Sequence, residues 1–263
     1  RRQRQMCIRD STTAVALAAA LKADECEIYT DVDGVYTTDP RVVPQARKMD
    51  RISYDEMLEL ASLGAGVMHS RAIEFGKKYN VPIHVRSSLT DAPGTMIVAE
   101  TPDMEDIVVR GATLKKDLAR VLITGVPDKP GVAAHVFARI ARHNIAVDDI
   151  IQNVDHGKNT ANIGFTTTSA DAREAQTVCE ELGRELKFSG VQLDQNVAKV
   201  SIVGVGMKTH TGVAARMFSA LAEARINIQN ISTSEIVISC IVGRDDGERA
   251  LQAIHKAFDL DKA

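Results

Sequence analysis

The segment VLITGVPDKPGVAAHVFARIARHNIAVDDIIQN, from Val121, and the segment VSIVGVGMKTHTGVAARMFSALAEARINIQNIST, from Val200, are two copies of one pattern. Gly125 aligns with Gly204. After a two-residue insertion, Gly131, Val132, Ala133 and Ala134 fall on Gly212, Val213, Ala214 and Ala215, and Phe137 and Ile145 fall on Phe218 and Ile226. Each copy reads as strand, glycine-bearing loop, helix, strand, strand, and residues 171–187 and 246–258 give each a second helix. That is the βαββαβ order of a ferredoxin-like unit. The second copy shows no clear final strand after Leu260. Residues 107–114 are a candidate to complete one of the two sheets, and the sequence does not say which.

Upstream of the repeat, strands and helices alternate. Ser11 or Thr12 is placed to cap an Ala- and Leu-rich helix running through Leu21. Residues 26–30 read as a short buried strand, and Ser53 with Glu56 forms a capping box before a helix that carries Met57, Leu58 and Leu60 near one face. A helix over 67–79 and a strand over 81–86 follow. The alternation predicts an α/β layered unit with a mainly parallel sheet. It ends near residue 102, where Pro93-Gly94 and Thr101-Pro102-Asp103 punctuate the chain. The opening RRQRQMCIRD has four arginines and no periodicity, and is expected to be a basic tail or a non-native scar outside the fold.

Composition removes several function classes. In 263 residues, Lys and Arg total 32 against 35 for Asp and Glu, a net charge of −3 that leaves no footprint for nucleic acid. Aromatics are 4% with no Trp, which argues against base-stacking platforms. No apolar run approaches the roughly 20 residues that span a bilayer, so no membrane partner is expected. No signal peptide is evident, and Cys7, Cys26, Cys179 and Cys240 are scattered with no C-x-x-C pair and no zinc spacing, although four could in principle pair. Reduced thiols in a cytoplasmic protein are the expectation.

Three places carry candidate chemistry. In DVDGVYTTDPR, a strand ending at Thr30 and Asp31 enters a loop with acidic, hydroxyl and basic groups, beyond the carboxyl end of a strand where α/β units bind ligands. Gly34 would let the backbone approach a ligand, and Arg41 would meet phosphate oxygens. The same loop also reads as an ordinary turn with solvated charges. The loops at 126–131 and 206–212 each precede a helix, whose unpaired N–H groups suit a small carboxylate. They equally read as strand-to-helix turns in which Gly131 and Gly212 serve geometry alone. GVGMKT lacks the order and spacing of a P-loop. His69 and His84 show no carboxylate or thiol at ligand spacing, so no metal site is expected, and Lys115-Lys116-Asp117 reads as a solvated hairpin.

In combination, EIYTDVDGVYTTDPR, MLELASLGAGVMHSRAIEF, VPIHVRSS, PGT, the DKPG turn and INIQNISTSEI closely resemble the aspartate kinase family over 12–260. The resemblance implies a partial amino-acid-kinase parallel-sheet sandwich over 12–102, on the ATP side. Two ferredoxin-like ACT domains would follow at 103–194 and 195–263, with a leader at 1–11. It implies phosphoryl transfer from ATP, bound with Mg2+, to the side-chain carboxylate of L-aspartate, giving 4-phospho-L-aspartate, the first step toward lysine, threonine and methionine. Thr30, Asp31, Tyr36, Thr37, Thr38, Asp39, Pro40 and Arg41 would hold the nucleotide. Asp128, Ala146, Val147, Asp148 and Gln152 of the first ACT copy would line an effector site for lysine, threonine or both, with Asn227, Ile228, Thr233 and Ser234 of the second. Asp128 or Asp148 would pair the effector's ammonium. Homo- or hetero-oligomers through the ACT domains are implied as well.

The chain departs from the family at charged positions. The family's K-x-G-G segment is absent, Ser11 stands where the family's G-G-S-D-T-T-A has its Asp, and Gly64-Ala65-Gly66 stands where many members have Gly-Ala-Lys. With little left to neutralise the transferring group, the chain alone is expected to be a truncated piece, inactive or nearly so, with an exposed apolar sheet edge. The alternative is a non-catalytic ACT regulatory subunit that joins a full kinase chain. A third reading, another acyl-phosphate-forming amino-acid kinase, is opposed by the ACT pair and the Y-T-T-D-P-R run.

Overall fold

A computed structural model describes residues 2–105 and 107–262, with side chains for 11–102, 104 and 107–262. Helix α1 (Arg2–Leu21) leads into β1 (Cys26–Thr30), and after an irregular stretch come β2 (Arg51–Ser53), α2 (Tyr54–Ser62), α3 (Ser70–Tyr79), β3 (Ile83–Ser87), β4 (Thr95–Val98) and the short α4 (Pro102–Glu105). Then follow β5 (Gly111–Lys115), β6 (Ala119–Pro127), α5 (Val132–Arg142), β7 (Asp148–Asp155), β8 (Thr160–Thr167), α6 (Ala172–Leu186), β9 (Gly190–Asp194), β10 (Val197–Val203), α7 (Val213–Glu223), β11 (Asn230–Thr233), β12 (Val237–Gly243) and α8 (Gly247–Ala257). The chain divides into a smaller unit, Lys116–Lys199 with Gly243–Asp245, and a larger one made of the remainder.

The smaller unit is the first repeat. Its sheet runs β7-β8-β6-β9, all antiparallel, with α5 and α6 packed on one apolar set that includes Val121, Ile123, Val136, Ile140, Phe165, Val178 and Leu182. The βαββαβ order expected from the repeat is present in full. Between Asp148 and Ile151 the pairing of β7 with β8 slips, and Asp149 adopts a left-handed φ of +45°. Such a bulge turns two successive side chains to one side, where a regular strand would send them to opposite faces.

The larger unit joins the α/β stretch to the second repeat. One sheet is β11-β12-β10-β5. Strand β5 thus occupies the place that β9 fills in the first repeat, which answers the question left open by 107–114. It also corrects the boundary drawn at residue 103: β5 belongs to the sheet of the second repeat. Lys115-Lys116-Asp117 is correspondingly no hairpin, because β5 and β6 lie in different sheets.

The other sheet is β1-β3-β4-β2. Strands β1 and β3 are parallel, as are β2 and β4, but β3 and β4 are antiparallel, so the sheet is mixed. The short link 88–94 explains this, since a parallel pair needs a longer crossover. Ser53 caps α2, and its capping box with Glu56 is complete. Helix α1 does not start at Ser11 or Thr12 but runs unbroken from Arg2, because strong helix formers downstream carry the hydroxyl residues inside it. Residue 1 of the expected leader lies outside the described residues. Strand β1 is an edge, and Leu17, Leu21 and Tyr29 on α1 and β1 are exposed.

The core of this unit is shared. Val15 of α1, Ile52, Met57, Leu60, Ile73, Ile83, Val85 and Ile97 cluster with Val203 of β10 and Val237 of β12. Buried Glu56 accepts the Ser53 N–H through one carboxylate oxygen and the Val205 N–H, at 3.1 Å, through the other. Arg110 Nε stands 3.6 Å from that second oxygen. Cys26, Cys179 and Cys240 are buried free thiols, and burial pushes the last two up to about 12. No helix among the described residues is long and apolar enough to cross a membrane.

Candidate functional site

The loop after β1 begins with exposed Asp31, whose carboxylate accepts the Thr30 hydroxyl at 2.9 Å. Half-buried Tyr36 donates its hydroxyl to Asp33 Oδ1, also at 2.9 Å. Gly34 approaches protein, not a ligand: a Cβ there would lie 2.5 Å from Thr95 Oγ1. Thr95 is committed at that spot, accepting the Val35 N–H and donating to Met49 O.

Thr37 and Thr38 are buried, at 1% and 6% exposure. Thr37 is held on every side. Its N–H donates to Arg47 O, its carbonyl accepts the Ala112 N–H of β5 at 2.7 Å, and its hydroxyl oxygen accepts the Arg47 N–H. That oxygen lies 3.0 Å from His255 Nε2 on α8. Thr38 Oγ1 is different, buried with no hydrogen-bond partner among the described residues. Exposed Arg41 grips Asp39 through Nε and Nη2, and this pairing holds the Asp39 carboxyl below its ordinary range. Seven of the eight residues expected at the nucleotide therefore sit in one loop, with Thr30 ending the strand before it, but the Thr37 side chain faces inward and Arg41 already has a carboxylate.

The two glycine-bearing loops are built alike. Gly131 (φ +92°) and Gly212 (φ +84°) each cap the following helix in the left-handed region that favours glycine, and a Cβ on either would meet open space. Backbone conformation, not crowding, demands glycine there. Each loop also walls a cavity. In the smaller unit it holds about 310 Å³ and is lined by 126–133 with Gln152, Ala161 and Ile163. In the larger unit it holds about 440 Å³, with His210, Arg216 and Phe258 among its lining.

Of the five effector residues expected in the smaller unit, the structure brings Asp128 and Gln152 to one cavity, while Ala146, Val147 and Asp148 do not line it. The Ala146 carbonyl accepts the Thr167 hydroxyl, and Val147 packs on the core. Asp148 meets Lys199 Nζ at 2.7 Å, and Asp149 reaches the same atom at 2.6 Å. Lys199 is 3% exposed at its side chain. Burial pulls its ammonium down, but the two aspartates outweigh that and leave it above its ordinary value. In the larger unit, Asn227, Thr233 and Ser234 are exposed and Ile228 is half-buried, and none of the four lines the cavity there.

Two residues escaped the sequence reading. Lys199 is the lone charge in the apolar strand VAKVSIV, which was its available signal. His255 falls on the buried face of α8 with Leu251 and Ile254, a spacing that marks it as interior. Burial lowers its pKa. The expectation for His84 needs correction: its Nδ1 lies 3.8 Å from Glu27 Oε1, and Glu25, Glu27 and His84 form the one group of metal-capable side chains among the described residues. His69 serves as the cap of α3.

Comparison with known proteins gives these features a family. The amino acid kinase family matches residues 5–87, and ACT domain families match 120–186 and 200–258. An aspartate kinase of Pseudomonas putida is 53% identical over 251 residues, 95% of this chain and 61% of that protein. The chain thus spans about three-fifths of the curated relatives it matches. Escherichia coli aspartokinase III in complex with aspartate and ADP superposes with a TM-score of 0.80 at 29% identity, over 94% of this chain and 55% of that one. Its complex with lysine and aspartate gives 0.77. The ligand-free regulatory subunit of aspartate kinase from Thermus thermophilus is 41% identical with a TM-score of 0.54, and 57% of this chain covers 99% of it. The chain belongs to the aspartate kinase family, in which it carries a stretch of the amino acid kinase domain and two ACT domains.

Proposed function

We propose that this chain is the sensing part of a cytoplasmic aspartate kinase, with a nucleotide loop and a feedback site for lysine, threonine or both. The whole enzyme would transfer phosphate from MgATP to the side-chain carboxylate of L-aspartate, giving 4-phospho-L-aspartate. The cavity before α5 carries this reading. It offers Asp128 for an ammonium, the Gln152 amide, and the N-terminal end of an eleven-residue helix for a carboxylate. An amino acid presents those groups together.

The nucleotide fits the loop at 30–41. Thr38 Oγ1, buried and without a hydrogen-bond partner among the described residues, is the polar atom there that a bound phosphate or ribose would satisfy. Asp31 and Arg41 would flank it, with Arg41 sharing its fork between Asp39 and a phosphate. Mg2+ would arrive with the nucleotide and neutralise phosphate charge. Alone, the chain is expected to turn over weakly or not at all, because Ser11 and Gly66 replace charged groups of the family.

Calorimetric titration with lysine, threonine, both together and ADP, beside a coupled kinase assay, tests this. Amino-acid binding with little turnover is the expected result. Robust turnover on aspartate would sink the claim that Ser11 and Gly66 matter. A second reading is a regulatory subunit that joins a full kinase chain, favoured by the near-complete coverage of the Thermus thermophilus regulatory subunit. Binding of amino acid without ADP, plus association with a complete kinase, would favour it.

A further inference from the structure

Thr37 is the point where the second ACT domain reaches into the loop proposed for the nucleotide. Three contacts from that domain converge on 37–42. Strand β5 gives the Ala112 N–H to Thr37 O at 2.7 Å, helix α8 gives the Gln252 amide to Val42 O at 3.1 Å, and His255 Nε2 stands 3.0 Å from Thr37 Oγ1. The first two are spent on backbone carbonyls. The third joins two buried side chains, 1% and 2% exposed, across 218 positions of sequence.

The Thr37 hydroxyl serves two partners at once. Thr37 Oγ1 accepts the Arg47 N–H at 3.1 Å and also pairs with His255 Nε2, the ring's tautomer setting which of the two donates. A neutral ring suits a site so far from water. The next residue along is Thr38, whose buried hydroxyl has no partner among the described residues, and then come Asp39 and Arg41.

We propose that His255 is a positioning residue for the nucleotide loop. By holding Thr37, α8 of the second ACT domain fixes the direction in which Thr38 and Arg41 face the nucleotide. A shift of α8 relative to β5 would reach the Thr37 side chain through this bond, and Val42 through the Gln252 amide. The inference rests on the nucleotide reading of 36–41 given above, and adds to it the means by which a regulatory element acts on that loop.

The test uses the 263-residue chain, ADP as probe, and amide exchange of 36–42 measured on the same samples. His255→Leu keeps apolar volume and removes the bond. It should weaken ADP about three- to tenfold and speed exchange in 36–42. His255→Gln, whose amide reaches the same place with a donor and an acceptor, should stay within about twofold of the parent. Thr37→Val should mimic His255→Leu, and the double variant should be no worse than either single one, as for two halves of one bond. If His255→Leu leaves both readouts unchanged, or raises exchange equally across β10 and β12, the positioning role is wrong. Should His255→Leu fail to fold, the Gln and Val variants still decide: a Val variant with parental ADP binding and exchange overturns the proposal. If the parent chain does not bind ADP, the nucleotide reading falls, while the exchange comparison still decides whether His255 positions the loop.

Discussion

Lys199 shows how one residue is fixed by the chemistry around it. Its ammonium is buried between Asp148, whose side chain is 62% exposed, and Asp149, at 8%. The left-handed Asp149 within the bulge lets both carboxylates face the same cation. A buried charge that loses its partner is costly, so Lys199→Met should destabilise the smaller unit by about 3 kcal/mol. Asp148→Asn should cost less than about 1 kcal/mol, because that side chain reaches water. Adding Asp149→Asn to Lys199→Met should recover part of the loss by removing a buried carboxylate charge that has lost its cation. Urea unfolding of the parent, these three variants and Asp149→Asn alone checks the set; equal losses at Asp148 and Asp149 would contradict the assignment. The family resemblance pointed to Asp148 and left Lys199 unremarked, because a lysine in an apolar strand shows its purpose only beside its partners.

At the scale of elements, the repeat was legible because spacing carries it: glycines at 125 and 204 and at 131 and 212, with apolar residues at fixed intervals, predicted strand, helix and strand in both copies. The capping box at Ser53 and Glu56 was legible for the same local reason. What spacing cannot carry is partnership. Strand β5 is five residues, GATLK, and nothing in them says that β10, not β6, is the neighbour. The antiparallel sense of the β3–β4 pair was likewise a matter of connection length, and the burial of Thr37 depended on α8, far along the chain. The placement of β5 predicts an exchange pattern. In native-state hydrogen exchange with rising denaturant, amides of 111–115 should open together with those of β10 and β12. Opening together with β6 and β8 would place the strand in the wrong sheet.

For the whole molecule, the two ACT domains are not equivalent in what they need. The first has its four strands, both helices and its own apolar cluster within Lys116–Lys199. The second takes its fourth strand from β5 and packs Val203 and Val237 into a cluster with α1, α2, α3 and the mixed sheet. A fragment of 116–199 should therefore fold alone, with cooperative thermal unfolding and dispersed amide resonances, although a domain of that size has limited burial to draw on. A fragment of 195–263 should not, because it leaves β10 as an unpaired edge and exposes the faces that Ile52, Met57 and Ile97 cover. Supplying 107–115 ahead of it restores the strand but not the apolar partners, so it should gain secondary structure and still lack a cooperative transition. Circular dichroism melts of the three fragments decide the matter. Cooperative unfolding of 195–263 alone would mean that the shared core is a contact between finished domains, and that His255 and Glu56 join surfaces that could exist apart.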